Sequence, residues 1–119
     1  MKSPYTGIKR ILKAFTYSYD GLKATFQSEA AFRQDIVFCA AAGLILCFLT
    51  VSKVECVLMI GALVFILFAE LVNTALEAVV DRIGSAYNPL SKKAKDIGSA
   101  LVLLAFIHFA LVWGLILWG

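Results

Sequence analysis

FAELVNTALEAVVDRIGSAYNPLSKKAKD, running from Phe68 to Asp96, begins inside a long apolar run and ends in a basic loop. On a helix, Glu70, Asn73, Glu77 and Asp81 share one face, because they recur at intervals of three and four residues. Acids on a helix that enters a bilayer are costly and are usually kept for function. The stretch therefore predicts a membrane helix that carries a chemical site.

Upstream, the same helix extends over about 54–82. At ~1.5 Å per residue it is roughly 40 Å long, more than the ~30 Å hydrocarbon core of a bilayer. It is expected to tilt or to protrude, with Glu77, Asp81 and Arg82 on the protruding end and Glu70 about two turns deeper. Downstream, Gly84, Ser85 and Asn88-Pro89 break the pattern. Pro89 or Ser91 suits the start of the next helix. A further span is expected over about 97–118, with Trp113 and Trp118 as interfacial anchors at its far end.

Before the decisive stretch, a first span is expected over about 31–51. Its uncharged core, Ile36 to Thr50, falls short of the ~20 residues needed, so Arg33, Gln34 and Asp35 should sit near its end, facing protein or snorkelling. A short turn is expected over 52–55. Over about 8–28, Ile8, Ile11, Leu12, Phe15, Tyr19, Leu22 and Phe26 recur at helical spacing with Lys9, Arg10, Lys13, Asp20 and Lys23 mostly between them. That pattern predicts a basic amphipathic helix suited to the membrane interface. Residues 1–7 read as a frayed start.

The chain has 119 residues, of which 61% are apolar in type, against roughly 45–50% in soluble domains. A soluble domain of this size cannot hide so much apolar surface. The expected class is therefore an all-α membrane protein, with 1–119 forming a single membrane domain. The first thirty residues are too charged for the core of a cleavable signal peptide. Lys and Arg gather in the N-terminal region and in the loop after the second span, while the first loop holds Lys53. By the positive-inside rule, the N-terminus and second loop are cytoplasmic and the C-terminus lies outside. Cys39, Cys47 and Cys56 form no CxxC pair and read as small apolar filler. His108 reads as a packing or bundle-facing residue.

Glu70 and Glu77 lie about 10 Å apart along the helix, too far for one magnesium ion with ligands at about 2.1 Å. They should have separate tasks. Glu77, nearer water, suits a metal, with Glu29 at the mouth of the first span as partner. Glu70, deeper, suits a base acting on a substrate that resides in the membrane. The alternative is that these acids pair structurally with Lys or Arg of neighbouring helices. Arg10, Lys92, Lys93 and Lys95 at the cytoplasmic edge suit either anionic-lipid contact or phosphate. Acids for a metal beside cations are the parts that phosphoryl transfer requires. GxxxxGK[ST] and GxGxxG are both absent, which excludes P-loop and protein-kinase folds. From these residues alone the chain holds a membrane-embedded site that handles an anion and a metal.

Four segments carry a resemblance: GIKRILKAF (7–15), SEAAFRQD (28–35), AELVNTALEAVVDRIGS (69–85) and SKKAKDIGSA (91–100). With the three-span layout they resemble the prokaryotic-type diacylglycerol kinases, small integral membrane lipid kinases, over essentially the whole chain. The resemblance implies a homotrimer with composite sites between subunits, no nucleic-acid partner, and MgATP-dependent phosphorylation of diacylglycerol at the bacterial inner membrane. It implies Glu70 as general base, with Asn73 beside it, and Glu29 and Glu77 as Mg2+ ligands. Arg10, Tyr17, Glu29, Glu77, Lys95 and Asp96, with Ala86, Tyr87 and Asn88, match nucleotide positions. Arg10, Ala31, Phe32, Arg33, Gln34, Glu70, Ser99 and Trp113 match lipid-side positions. The turn Ala86-Tyr87-Asn88-Pro89 departs from the acid and His often found beside this Tyr, so its contacts to nucleotide should come from backbone or be partly lost. Two alternatives stand beside this reading. One is undecaprenol kinase of the same fold, against which EAAFRQ and VVDRIGS favour diacylglycerol. The other is a non-enzymatic three-span oligomer.

Overall fold

The computed structural model describes residues 6–119 and contains four helices: α1 (Gly7–Ser28), α2 (Ala30–Cys47), α3 (Lys53–Ile83) and α4 (Pro89–Trp118). The start expected as frayed lies largely outside the described residues, and Gly7 already opens α1. α2, α3 and α4 are each long and apolar enough to cross a membrane. The chain is therefore all-helical with three candidate spans.

Local chemistry sets the helix ends. Ser52 and Glu55 form a reciprocal capping box: Glu55 N–H donates to Ser52 Oγ (3.1 Å) and Ser52 N–H donates to Glu55 Oε1 (2.9 Å). Residues 52–55, expected as a turn, are for this reason the cap and first turn of α3. At α4, Asn88 Oδ1 accepts from Leu90 N–H (2.8 Å) and Ser91 N–H (3.3 Å), and Pro89 fills the first helical position.

Between α1 and α2 the break is one residue, Glu29, with extended backbone (φ −114°, ψ 108°). Arg33 reaches back across it. Its Nη1 donates to the carbonyls of Phe26 (2.6 Å) and Gln27 (3.1 Å), which the end of α1 leaves without helical partners.

α3 and α4 make the most extensive packing, and α2 lies against α3. The core between them joins Ala42 and Leu46 of α2, Met59, Ala62 and Leu63 of α3, and Trp113 of α4. A second group, Ile66, Ala69 and Ala105, continues it. Small residues here let the helices approach closely, as packing within a bilayer requires. Trp113, expected as an interfacial anchor, is buried in this core. Its indole N–H donates to the Met59 carbonyl (3.1 Å), using the second lone pair of an oxygen already in a helix. Trp118 is exposed. Phe38 of α2 meets Phe106 and Phe109 of α4 edge-on, at 5.7 and 5.1 Å between ring centres. The three cysteines are free, and Cys39 lies against the Leu63 carbonyl (3.6 Å).

α1 presents Ile8, Ile11, Leu12, Phe15, Tyr19, Leu22 and Phe26 exposed. A groove between α1 and α3 is walled by Gly21, Leu22 and Thr25 on one side and Leu71, Thr74 and Ala78 on the other.

Candidate active site

The acidic face of α3 opens on a cavity of about 650 Å³. Glu70, Asn73 and Glu77 come from α3, Glu29 from the α1–α2 break, Ala31 from α2 and Ser99 from α4. Val102, Leu103 and Phe106 of α4 form an apolar wall. Three acids, one amide and one hydroxyl thus face hydrocarbon across the cavity.

Glu70 is 8% exposed, so its carboxyl is withdrawn from water while bordering the cavity. Glu29, Asn73 and Glu77 are half-buried. Asn73 of α3 packs against α4 at Gly98. A Cβ on Gly98 would collide with Asn73 Oδ1, so Gly98 makes the room that the amide occupies.

One turn beyond Glu77, a second pocket of about 380 Å³ forms around the α3–α4 connection. Ala86, Tyr87, Asn88, Lys95 and Asp96 all border it, together with Asp81 and Lys92. Its charges are already paired: Lys95 Nζ lies 2.7 Å from Asp81 Oδ1, and Lys92 Nζ lies 2.6 Å from Asp96 Oδ2. Lys95 precedes the apolar run that begins at Ile97. The hydrogen bond and charge of Asp81 hold its ammonium above the ordinary lysine range. The Asn88 amide oxygen is engaged in capping α4.

The remaining expected positions are dispersed. Arg10 lies on a shallow surface groove of α1 with Ile11 and Phe15, and Tyr17 is exposed; neither borders the acidic cavity. Phe32 is buried, Gln34 is exposed, and Arg33 is tied to the end of α1. Trp113 is in the core and does not border the cavity. His108 is exposed and stands edge-on to Phe65 at 5.5 Å.

Asp35 was not singled out for the site, yet it brings a further carboxylate from α2 near Glu70. Its Oδ2 is buried without a hydrogen-bond partner among the described residues. The sequence signal was a carboxylate at the mouth of a span, the same kind of signal that marked Glu29.

Among the described residues, no three His, Cys, Asp or Glu side chains gather closely enough to enclose a metal ion. Glu29 and Glu77 do border one cavity. Two carboxylates are a sufficient protein contribution for Mg2+, which commonly takes its other ligands from water and substrate phosphates. The donor set fits that ion and gives no thiolate or imidazole for a softer one.

A family model described as prokaryotic diacylglycerol kinase matches residues 16–117. The chain belongs to this family. The diacylglycerol kinase of Escherichia coli (strain K12) is 47% identical over 119 residues, covering 100% of this chain and 98% of the relative. That of Pseudomonas aeruginosa (strain PAO1) is 44% identical over 114 residues, covering 96% of this chain and 93% of the relative. That of Haemophilus influenzae (strain Rd) is 40% identical over 112 residues, covering 94% of this chain and 95% of the relative. The family membership and the three candidate spans mark a bacterial membrane protein of the diacylglycerol kinase family.

Proposed function

We propose that this chain transfers the γ-phosphoryl group of ATP to the hydroxyl of diacylglycerol, giving phosphatidic acid and ADP. The observation that carries this reading is the two-sided cavity, in which a withdrawn carboxyl meets an apolar wall. A lipid alcohol needs both. Its chains lie against Val102, Leu103 and Phe106, and its hydroxyl lies at Glu70. The names of the relatives, diacylglycerol kinase throughout, support the same substrate.

Glu70 accepts the hydroxyl proton as the lipid oxygen bonds to phosphorus and the bond from phosphorus to the ADP oxygen breaks. Asn73, fixed by Gly98, orients the reacting groups by hydrogen bonding. Glu29 and Glu77 would hold Mg2+, which neutralises phosphate charge when bound. Lys95 supports the phosphates after exchanging Asp81 for them, and Asp96 likewise leaves Lys92. Exposed ion pairs of this kind cost little to exchange. Ala86, Tyr87 and Asn88 border the nucleotide from the turn.

Arg10 and Tyr17 lie away from the cavity of their own chain. That dispersal supports a homotrimer in which α1 of one subunit reaches the site of another. α1, with its exposed apolar residues and interleaved lysines, lies in the interface of the bacterial inner membrane. The N-terminus and the α3–α4 loop face the cytoplasm and the C-terminus faces outward, following the distribution of Lys and Arg.

Glu70→Gln tests the central assignment. Purified variant in lipid–detergent micelles should retain its assembly and ATP binding and lose at least about 100-fold in kcat, the scale of general-base catalysis. Turnover near that of the unaltered protein would remove Glu70 from the chemistry.

A further inference from the structure

His108 stands where a polar side chain is hardest to place. At ~1.5 Å per residue it is about 15 Å from Trp118 at one end of α4. Phe65, against which its ring packs edge-on, is about 18 Å from Lys53 at the same end of α3. Both distances come to about half of a ~30 Å hydrocarbon core, so the imidazole lies near the bilayer centre. It is exposed, and among the described residues no hydrogen bond reaches its ring nitrogens. Hydrocarbon can satisfy neither nitrogen. Ionisable side chains within spans almost always face protein or a watery cavity. The acidic cavity does not extend to His108, since its α4 wall ends at Phe106.

The chain's own helices leave this side open. α2 packs elsewhere on α4: Phe38 meets Phe106 and Phe109, which lie about 160° and 100° around the helix from His108. Gly61 and Phe68 flank Phe65 on α3, and Leu104 and Leu111 flank His108 on α4, at intervals of three and four residues that keep each set on one face. All six residues are exposed. Phe65 and Phe68 stack at 6.4 Å between ring centres. A Cβ on Gly61 would meet nothing within 4 Å. The face thus has a notch at Gly61 beside two rings and an imidazole, and small residues are what let membrane helices approach closely.

Lipid could fill the notch but offers His108 no hydrogen bond. A protein helix does, because its carbonyls keep a second lone pair, as that of Met59 serves the Trp113 indole. Charge indicates which protein. Glu29, Glu70 and Glu77 border the acidic cavity, and no cation borders it among the described residues. Arg10 is exposed on α1, outside that cavity. Acids and a cation left apart within one chain complement each other between chains. We infer that the α3–α4 face marked by Gly61, Phe65 and His108 packs against a second copy of this chain within the membrane, which takes His108 out of lipid. Closed symmetry repeats the contact around the assembly. This inference rests on the assembly of copies proposed above and names a face that builds it.

A photoreactive benzophenone amino acid placed at Phe65 or at Leu104, activated in membranes that hold the full-length protein, tests it. Both sites should give adducts of two chains, with a yield that changes less than about twofold when the membranes are fused with a roughly tenfold excess of lipid. Gly61→Leu fills the notch. It should lower both the adduct yield and the assembled fraction, measured by light scattering in mild detergent, by about tenfold, the effect of overpacking a contact. On a face turned to lipid the same variant would gain helix propensity and change neither. Adducts with lipid alone, adducts with a different protein, or a Gly61→Leu variant that assembles like the unaltered protein would each overturn the inference. If the unaltered protein is a single chain, the assembly itself has failed and the inference falls with it. If it is assembled and neither site gives an adduct of two chains, the inference alone has failed.

Discussion

Asn73 and Gly98 show how closely the site depends on single atoms. The amide of Asn73 occupies the volume where a side chain on Gly98 would begin. Adding one methyl group therefore acts on the site rather than on an empty gap. Gly98→Ala should cost about 1–3 kcal/mol of stability, the usual scale of overpacking. It should also lower kcat by displacing Asn73, and thermal unfolding with lipid-kinase assays on the same preparation checks both. At this scale the sequence was informative where chemistry and spacing coincide. Glu70, Asn73 and Glu77 announce themselves because one helical face carries all three, and the structure brings them to one cavity. Asp35 was not legible in that way. Glu70 lies on another helix, and no local pattern says that α2 and α3 bring two carboxylates near each other. Trp113 departs from the sequence expectation for a related reason. An aromatic near the end of a span reads as an anchor, while the Met59 carbonyl that holds it is visible only once α3 and α4 are packed.

Glu29 owes its position to the element boundary it occupies. It ends α1 and precedes α2 within a single extended residue. Such a short break would hinge freely if the last carbonyls of α1 were unheld, and Arg33 holds two of them. Arg33→Ala should raise hydrogen exchange at the amides of residues 26–29 and lower stability by about 1 kcal/mol, the net contribution of a typical hydrogen bond. Arg33→Lys should lie between the two, since an ammonium lacks the planar fork of the guanidinium. A variant with unchanged exchange in this segment would show that the break is held by other contacts. The elements themselves were largely readable. The Ser52–Glu55 box and the Asn88-Pro89 cap are local signals, although the box by its sequence alone suits a turn, and its two hydrogen bonds make it the cap and first turn of α3.

The molecule as a whole is an open arrangement. α2, α3 and α4 pack around small residues, and α1 reaches out from the bundle with its apolar residues uncovered. Composition and hydropathy make the class of such a chain legible, because three apolar runs of this length have few other uses. The completed site is less legible. Arg10 and Tyr17 stand apart from the acids they are proposed to serve, and contacts between subunits leave no periodic trace in one chain. The proposed reaction at this scale is transfer of phosphate from ATP to a lipid alcohol in a membrane cavity with two acids at its mouth and one within. The most direct measurement offers the purified protein γ-labelled ATP with diacylglycerol or undecaprenol, each with and without Mg2+. The account predicts label in phosphatidic acid when Mg2+ is present, little in undecaprenyl phosphate, and loss of transfer on chelation. Preferential labelling of undecaprenol would contradict the substrate. Transfer undiminished without a divalent ion would contradict the role of Glu29 and Glu77, and no transfer to either lipid would contradict the proposed function itself.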